Sequence, residues 1–446
     1  MKEVNLDYKI YFEKGSVLKM DRRKFMQKSM IGAGSLAAIP SIVDGGSNSD
    51  NEIKEKKLYT PISQIKKPLA IAMWDFSWIL RHHRYGEFEN WDRVLGELVE
   101  RGYNAIRFDV MPQFVVSTKE GEVMDEFRSV REDWKPAMWG NDYTMSFRPR
   151  EALLEFLPLC KKHGVKVGLA TWFLPHGTGR TDIFTEKGGL QRAWFETLSF
   201  LKAHDLLENV IYVDLLNEYP VNHGYDWLKN ELIQRADAQK FKLNNPDAHI
   251  PESFSSGKKR SDLRSWFYND YMNKLIVELK TEFSELDLFA SLDQGLDKID
   301  LSTYAALDFH IWFAHNKIMK KLWEIGERDQ SVKLYEQNAH LYAHWKENKT
   351  TLVKWVEDRI DNVSKMAADH NIVCGNTEGW GPVLWYDHPE LDWRFTKESA
   401  DICVDFALKH DNYKFICTSN FTHPHFKGMW NDVKWHQQIT SRIKNG

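Results

Sequence analysis

The chain has 446 residues and a formal net charge of −4, so it carries no basic surplus to attract nucleic acid or an acidic membrane surface. Hydrophobic residues make up 42%, ordinary for a globular protein that buries a sizeable core. The cysteines Cys160, Cys374, Cys403 and Cys417 show no paired spacing, which argues against a structural zinc site and predicts buried free thiols.

Residues 1–19 are polar and are expected to be a gene-model extension ahead of a true start at Met20. Residues 20–45 place Arg22-Arg23, Phe25-Met26 and Lys28 before a short apolar run of small residues. This arrangement resembles a twin-arginine export signal and implies a periplasmic or cell-surface protein. The apolar run is too short to span a bilayer. Residues 46–66, rich in Ser, Asn, Lys and Glu, read as a linker, and 67–446 as one folded domain.

From Lys67 onward, apolar runs alternate with amphipathic segments. Strands are predicted over Pro68–Trp74, Asn104–Val110, Val165–Trp172, Val210–Leu216, Leu286–Leu292, Leu307–Trp312, Ile372–Asn376 and Lys414–Ser419. Helices are predicted over Asn90–Arg101, Arg150–His163, Leu190–Asp205, Asp262–Glu282, a charged stretch ending near His370, Thr396–His410 and Val433–Lys444. Gly102 and Gly164 stand where helix C′ glycines belong. Eight nearly continuous apolar strands alternating with helices predict a closed parallel barrel, an α/β (β/α)8 fold with a single catalytic domain. An open doubly wound sheet is the alternative, weakened by the lack of a Gly-rich phosphate loop after the first strand.

In such a barrel, chemistry sits where strands end. Two carboxylates hold that position: Glu218 after the fourth strand and Glu378 after the seventh. Those strands face each other across a barrel mouth, so their side chains can flank one bond. Glycoside hydrolysis with retention uses such a pair, one as nucleophile and one as acid/base. Eighteen tryptophans are many for this length. Trp74, Trp172, Trp312, Trp380, Trp385 and Trp430 stand near expected strand ends beside polar residues. Flat rings stack on the C–H faces of sugars, so several of these are candidate linings of a sugar cleft. Asp75, His176, Asp293, Gln294 and Asn420 are candidate hydroxyl binders at the same level. His310 ends the sixth strand. Arg81-His82-His83-Arg84 reads as a solvated basic turn, and the spacing of His82, His83, His423 and His425 does not match a metal-dependent barrel hydrolase.

Asn217-Glu218 at the fourth strand, Glu378 at the seventh, and Arg107 within Gly102-Tyr-Asn-Ala-Ile-Arg-Phe108 together resemble the clan A glycoside hydrolases, and most closely the cellulase-like, family-five-type proteins. The resemblance covers about residues 67–440. It implies a retaining β-glycosidase needing no cofactor or metal and acting on an oligosaccharide or polysaccharide. Glu218 would be its acid/base and Glu378 its nucleophile. It further implies that Asn217 binds the 2-hydroxyl of the sugar at the cleavage point, and that Arg107 keeps Glu378 ionised by lowering its pKa. The chain departs from the pattern at the eighth strand, where Thr418-Ser-Asn-Phe421 replaces the usual Trp and Trp430 comes only later. The second reading is a carbohydrate-binding barrel of weak or no catalysis; it needs aromatic platforms but not both carboxylates.

Overall fold

The computed structural model describes residues 60–130, 138–141, 144–186, 188–220, 260–321, 330–381 and 387–446. The expected extension, the export signal and Trp385 lie outside the described residues. Within the segment expected as linker, Ile62 is already buried, and Ser63 N–H donates to Asp287 Oδ2 at 3.0 Å.

Eight strands make the barrel: β1 Leu69–Asp75, β2 Ala105–Asp109, β3 Lys166–Ala170, β4 Val210–Asp214, β5 Leu288–Phe289, β6 Ala306–Asp308, β7 Val373–Asn376 and β8 Tyr413–Cys417. All their pairings are parallel, in the order β5-β4-β3-β2-β1-β8-β7-β6. The two ends of that order meet. Ala305 N–H donates to Leu288 O at 3.1 Å, and Leu292 N–H donates to Asp308 O at 3.0 Å, which closes the ring. Helices cover the outside: α1 Trp91–Glu100, α2 Pro149–Lys162, α3 Gly189–Ala203, α4 Arg260–Lys280, α5 Gln330–Asp369, α6 Arg394–Ala407 and α7 Val433–Asn445. This is the (β/α)8 barrel expected from the alternation of apolar runs. The unit between β5 and β6 departs from it. Only a 3-10 turn, Leu296–Lys298, links these strands.

The elements follow from local chemistry. Asn90 caps α1 by accepting from Arg93 N–H at 2.9 Å. On α5 the buried residues Leu341, Trp345, Leu352, Val356, Ile360, Val363 and Ala367 recur at helical spacing, so one stripe of this 40-residue helix faces the barrel. The barrel interior is filled by rings. Tyr212 packs on Phe289 and Phe415 with centroids 5.0 and 5.9 Å away. Gly168 makes room for it, since a Cβ there would meet the Tyr212 ring at 2.1 Å. A packed interior leaves the mouth as the place for chemistry. All four cysteines are buried and free. Among the described residues no helix is long and apolar enough to cross a membrane.

Above the barrel, Ile311–Trp312 pairs in parallel with Gly379–Trp380. The predicted sixth strand ran unbroken from Leu307 to Trp312. Instead it leaves the barrel after Asp308 and re-forms above it as this short pair, which brings the segments after β6 and β7 together over the mouth.

Candidate active site

Arg107 organises the mouth. It lies within β2, fully buried. Its Nη1 donates to Asp75 Oδ1 at 2.6 Å and to Glu378 Oε1 at 2.7 Å. Its Nη2 donates to Asn217 Oδ1 and lies 3.5 Å from Asp214 Oδ2. One planar guanidinium therefore ties together the ends of β1, β4 and β7. Asp75 turns into the site through a left-handed backbone (φ 37°), where the pairing of β1 with β2 shifts register. Its second oxygen accepts from Trp139 Nε1 at 2.8 Å.

Glu218 sits in the turn after β4 with φ 51°. Its N–H donates to Ser291 Oγ at 3.0 Å, and that hydroxyl lies 3.3 Å from Asn217 Oδ1. Trp312 Nε1 donates to Glu218 Oε1 at 3.1 Å, and His310 Nδ1 is 3.0 Å from the same oxygen. On the other side of the imidazole, Nε2 is 3.2 Å from Thr377 Oγ1, whose hydroxyl donates to Asp308 Oδ2 at 2.5 Å. With its own proton committed to Asp308, Thr377 accepts from His310 Nε2–H. That leaves Nδ1 facing Glu218. One oxygen of Glu218, one ring nitrogen of His310 and one oxygen of Glu378 all lie within 4.8 Å of one another.

Burial is the largest influence on Glu378 and lifts its pKa; the Asp75 and Glu218 charges push the same way, while His310 and Arg107 oppose them. The expectation that Arg107 would bring this pKa down thus holds for the contact but not for the net direction. One guanidinium is shared among Glu378, Asp75 and Asp214, too little to offset the loss of water. Burial likewise raises Asp75 and Asp214. His310 moves up despite its burial, because Glu378, Asp308 and Glu218 surround it. A divalent ion placed among Glu218, His310 and Glu378 would stand against the Arg107 cation, 2.7 Å from Glu378 Oε1, so the cluster suits proton chemistry better than a metal.

A family model described as sugar-binding cellulase-like matches residues 71–444. The chain belongs to that cellulase-like family. Among solved structures, a protein of Parabacteroides distasonis ATCC 8503, provisionally described as a glycoside hydrolase, is 28% identical with a TM-score of 0.68, over 85% of this chain and 94% of that one. A family 5 glycoside hydrolase of Prevotella bryantii, solved with a xyloglucan tetradecasaccharide, is 11% identical with a TM-score of 0.48, over 86% of this chain and 98% of that one, too distant to add to the argument. No curated protein matches. The cellulase-like protein thus has the (β/α)8 barrel, and belongs to the cellulase-like family, that its motifs led us to expect.

The barrel of the cellulase-like protein gathers Glu218, Glu378, Asn217, Arg107, His310, Asp75 and Trp312 into one network. The Trp172 side chain lies close enough to Asp75 to favour its charge, and the Trp172 backbone N–H donates to Asp109 Oδ2 at 2.8 Å. Trp380 is buried beside Trp312, and Asn420 Oδ1 accepts from Gly379 N–H at 2.7 Å, which steadies the residue after Glu378. Asp293 borders Glu218. Burial and the Glu218 charge raise its pKa to about 6, and His315 Nε2 is 3.8 Å away. His176 stays apart from the carboxylates, packed on Phe76 and Phe114, and desolvation there lowers its pKa to about 4.

Two expected cleft tryptophans are not at the mouth. Trp74 packs outward against Phe88 and Phe156 and donates to Thr422 O, because it falls on the helix-facing side of β1. Trp430 lies on a short helix against α1, under the Arg101 guanidinium and bonded to Glu97. The turn read as solvated is not solvated at its start. Arg81 is buried, paired with Glu87 at 2.9 Å and bonded to Gly140 O, and His82 stacks on Trp91. Sequence reasoning missed Asp214, Asp308, Ser291 and Thr377. The available signal was an acidic residue closing an otherwise apolar strand, as in Val210–Asp214 and Ala306–Asp308.

Proposed function

We propose that this cellulase-like protein hydrolyses a β-linked glycoside or oligosaccharide with retention, Glu378 being the nucleophile and Glu218 the acid/base. The observation that carries the reading is that one oxygen of Glu218 and one oxygen of Glu378, each at its own strand end, lie within 4.8 Å of each other, close enough to flank one acetal carbon. Retaining glycosidases hold this pair about 5–5.5 Å apart, whereas inverting ones leave about 6.5–9.5 Å for a water molecule. A barrel that only bound sugars would have no use for two acids so close.

The geometry supports a division of labour. Arg107 occupies Glu378 Oε1, and Oε2 is buried without a partner, so Oε2 is the oxygen that attacks the anomeric carbon. As the glycosyl–enzyme bond forms, the bond to the leaving oxygen breaks and Glu218 supplies that oxygen with a proton. Glu218 then takes a proton from the water that cleaves the glycosyl–enzyme. His310 and Trp312 hold Glu218 Oε1 through both steps. Under this reading Asn217, fixed by Arg107 and Ser291, binds the 2-hydroxyl of the sugar. The twin-arginine-like segment puts the reaction in the periplasm or at the cell surface under this reading.

The test is a panel of aryl β-glycosides with Glu378→Gln and Glu218→Gln. Each variant should lose turnover by orders of magnitude while melting as a folded protein. Azide added to Glu378→Ala should yield an α-glycosyl azide, and proton NMR should show the β-anomer released first by the wild type. Full turnover in both Gln variants would end the assignment.

A further inference from the structure

Trp139 enters the site from a backbone that needs outside support. It stands in the left-handed region, φ 55° and ψ 30°, and Gly140 beside it has φ 63°. A residue with a side chain is disfavoured there, so other groups must hold it in place. The Arg81 guanidinium does so. Arg81 is buried and follows the short helix Ser77–Leu80 that leaves β1. Its Nη2 donates to Gly140 O at 2.5 Å and to Trp139 O at 3.4 Å, and its Nε donates to Asn141 Oδ1 at 3.0 Å. Asn141 Nδ2 in turn donates to Ser77 Oγ at 3.0 Å. Residues 139–141 are thus fastened to the segment that leaves β1.

That fastening aims one donor. Trp139 Nε1 donates to Asp75 Oδ2 at 2.8 Å, and Asp75 Oδ1 accepts from the same Arg107 Nη1 that serves Glu378 Oε1. Asp75 and Glu378 therefore share one nitrogen, and the charge on Asp75 decides how much of the cation the nucleophile receives. The groups around Asp75 come from several walls of the mouth. Arg107, Trp139, Trp172 and His310 favour its charge, Trp139 more than Trp172, while burial opposes it. Asp109 and Glu378 both feel that charge as a repulsion. Around Arg81 stand Glu87, paired at 2.9 Å, and the imidazoles of His423 and His425, which burial and the Arg81 charge keep neutral.

We propose that Arg81 is a positioning residue for the nucleophile: by fixing Trp139 on Asp75, it sets the share of Arg107 that Glu378 receives. This rests on the glycosidase reading above and extends it to a residue that reaches Arg107 through Trp139 and Asp75. Without the indole donor, Asp75 takes up a proton at higher pH. A neutral Asp75 releases Arg107 to Glu378 and no longer repels it, so Glu378 becomes less basic. A less basic carboxylate ionises at lower pH and attacks more slowly. Plain loss of the cation moves the acid limb the other way.

The test uses Arg81→Gln, Arg81→Lys, Trp139→Phe and the double variant of Arg81→Gln with Trp139→Phe. The probes are the p-nitrophenyl β-glycosides of glucose, mannose, galactose and xylose. On a glycoside that the wild type cleaves, Trp139→Phe and Arg81→Gln should each lower kcat by about fivefold, the worth of one hydrogen bond, and leave KM unchanged. Each should also move the acid limb of kcat/KM to lower pH. The double variant should be no slower than the slower single one, because both act through the same bond. Arg81→Lys offers one nitrogen where the contacts use three, so it should fall between wild type and Arg81→Gln; it carries the test of Arg81 if the Gln variant does not fold. A second readout needs no turnover. In nitrogen-labelled tryptophan TROSY spectra, the indole resonance lost in Trp139→Phe identifies Trp139, and that resonance should move in both Arg81 variants. An unmoved resonance, wild-type kcat and acid limb in Trp139→Phe, additive losses in the double variant, or an acid limb displaced to higher pH overturns the proposal. So does a lower melting temperature in the Arg81 variants with the resonance and the acid limb unchanged, which would make Arg81 a structural residue. Glu378→Gln tests the glycosidase reading separately. An inactive Glu378→Gln beside wild-type rates in Trp139→Phe would sink the positioning chain and leave the enzyme, whereas full turnover in Glu378→Gln would sink the glycosidase reading itself.

Discussion

Removing Arg107 is the most informative perturbation of this site. Its fully buried guanidinium contacts Asp75 and Glu378 at 2.6 and 2.7 Å, with Asp214 at 3.5 Å. Arg107→Met keeps much of the side-chain volume and strands three buried carboxylates. Breaking a buried ion pair in this way costs about 3–5 kcal/mol. In a domain of this size that is a fall in melting temperature of about 5 °C, since unfolding entropy grows by about 2.1 cal/mol/K per residue. The loss should depend on pH, and its sign follows from the groups involved. Asp75, Asp214 and Glu378 already have raised pKa values in the fold, and loss of the cation raises them further. A group whose folded pKa lies above its unfolded value stabilises the protein in acid, and that contribution disappears as pH rises through the folded pKa. The deficit of Arg107→Met should therefore be small near pH 5 and large near pH 8. Glu378 must be ionised to attack, so the acid limb of kcat/KM should also move to higher pH in the variant. Differential scanning fluorimetry across pH and a pH–rate profile on an aryl glycoside read both effects. A variant that melts with wild type at pH 8 and keeps the wild-type acid limb would refute the charge-sharing account.

Other outcomes follow from individual contacts. In the wild type, the acid limb of kcat/KM should lie above the ordinary carboxylate value of about 4.3, because burial raises Glu378; a limb near or below that value contradicts the assignment. Asp293→Asn removes a like charge beside Glu218 that is present above its pKa of about 6, so the alkaline limb should shift to lower pH, measured by the same profile. Trp312→Phe deletes the indole donor to Glu218 Oε1 and should lower kcat by about tenfold or more with little change in sugar affinity. Trp430→Ala should lower the melting temperature through loss of its Arg101 and Glu97 contacts while leaving kcat/KM unchanged, which separates the structural tryptophans from those at the mouth.

The barrel and its two acids were legible because both depend on strong local signals. Apolar runs broken at regular intervals gave the eight strands, and Glu218 and Glu378 stood at two of their ends. What sequence could not place was the outcome of side-chain direction. Trp74 and Asp75 are neighbours, yet one points into the helices and the other into the site. The register shift between Met73 and Asp75 and the positive φ of Asp75 decide this, and no pattern of residue types announces either. No pattern of residue types singles out Trp139. It becomes part of the site through one hydrogen bond to an oxygen 64 positions away in the chain. Asp214 and Asp308 were hidden inside strands read as apolar. A buried acid within a barrel strand has to be explained by a cation or a donor nearby, and Arg107 and Thr377 are those partners.

The same bookkeeping explains why the mouth is built at the expense of stability. Glu378 Oε2, His423 and Asn420 Nδ2 are all buried and unpaired, and they belong to strand-end loops rather than to the packed interior beneath. A core selected only to fold would pair or replace them, at a gain of about 1–3 kcal/mol for each group. Glu378 Oε2 stands beside a second acid, and under the glycosidase reading it is open to the carbon that it attacks. That reading makes stability and turnover move in opposite directions at this position. Glu378→Gln should therefore melt no lower than wild type near pH 8 while losing turnover, whereas an equally buried residue outside the mouth, such as Val356 on α5, should lose stability when truncated and leave turnover untouched.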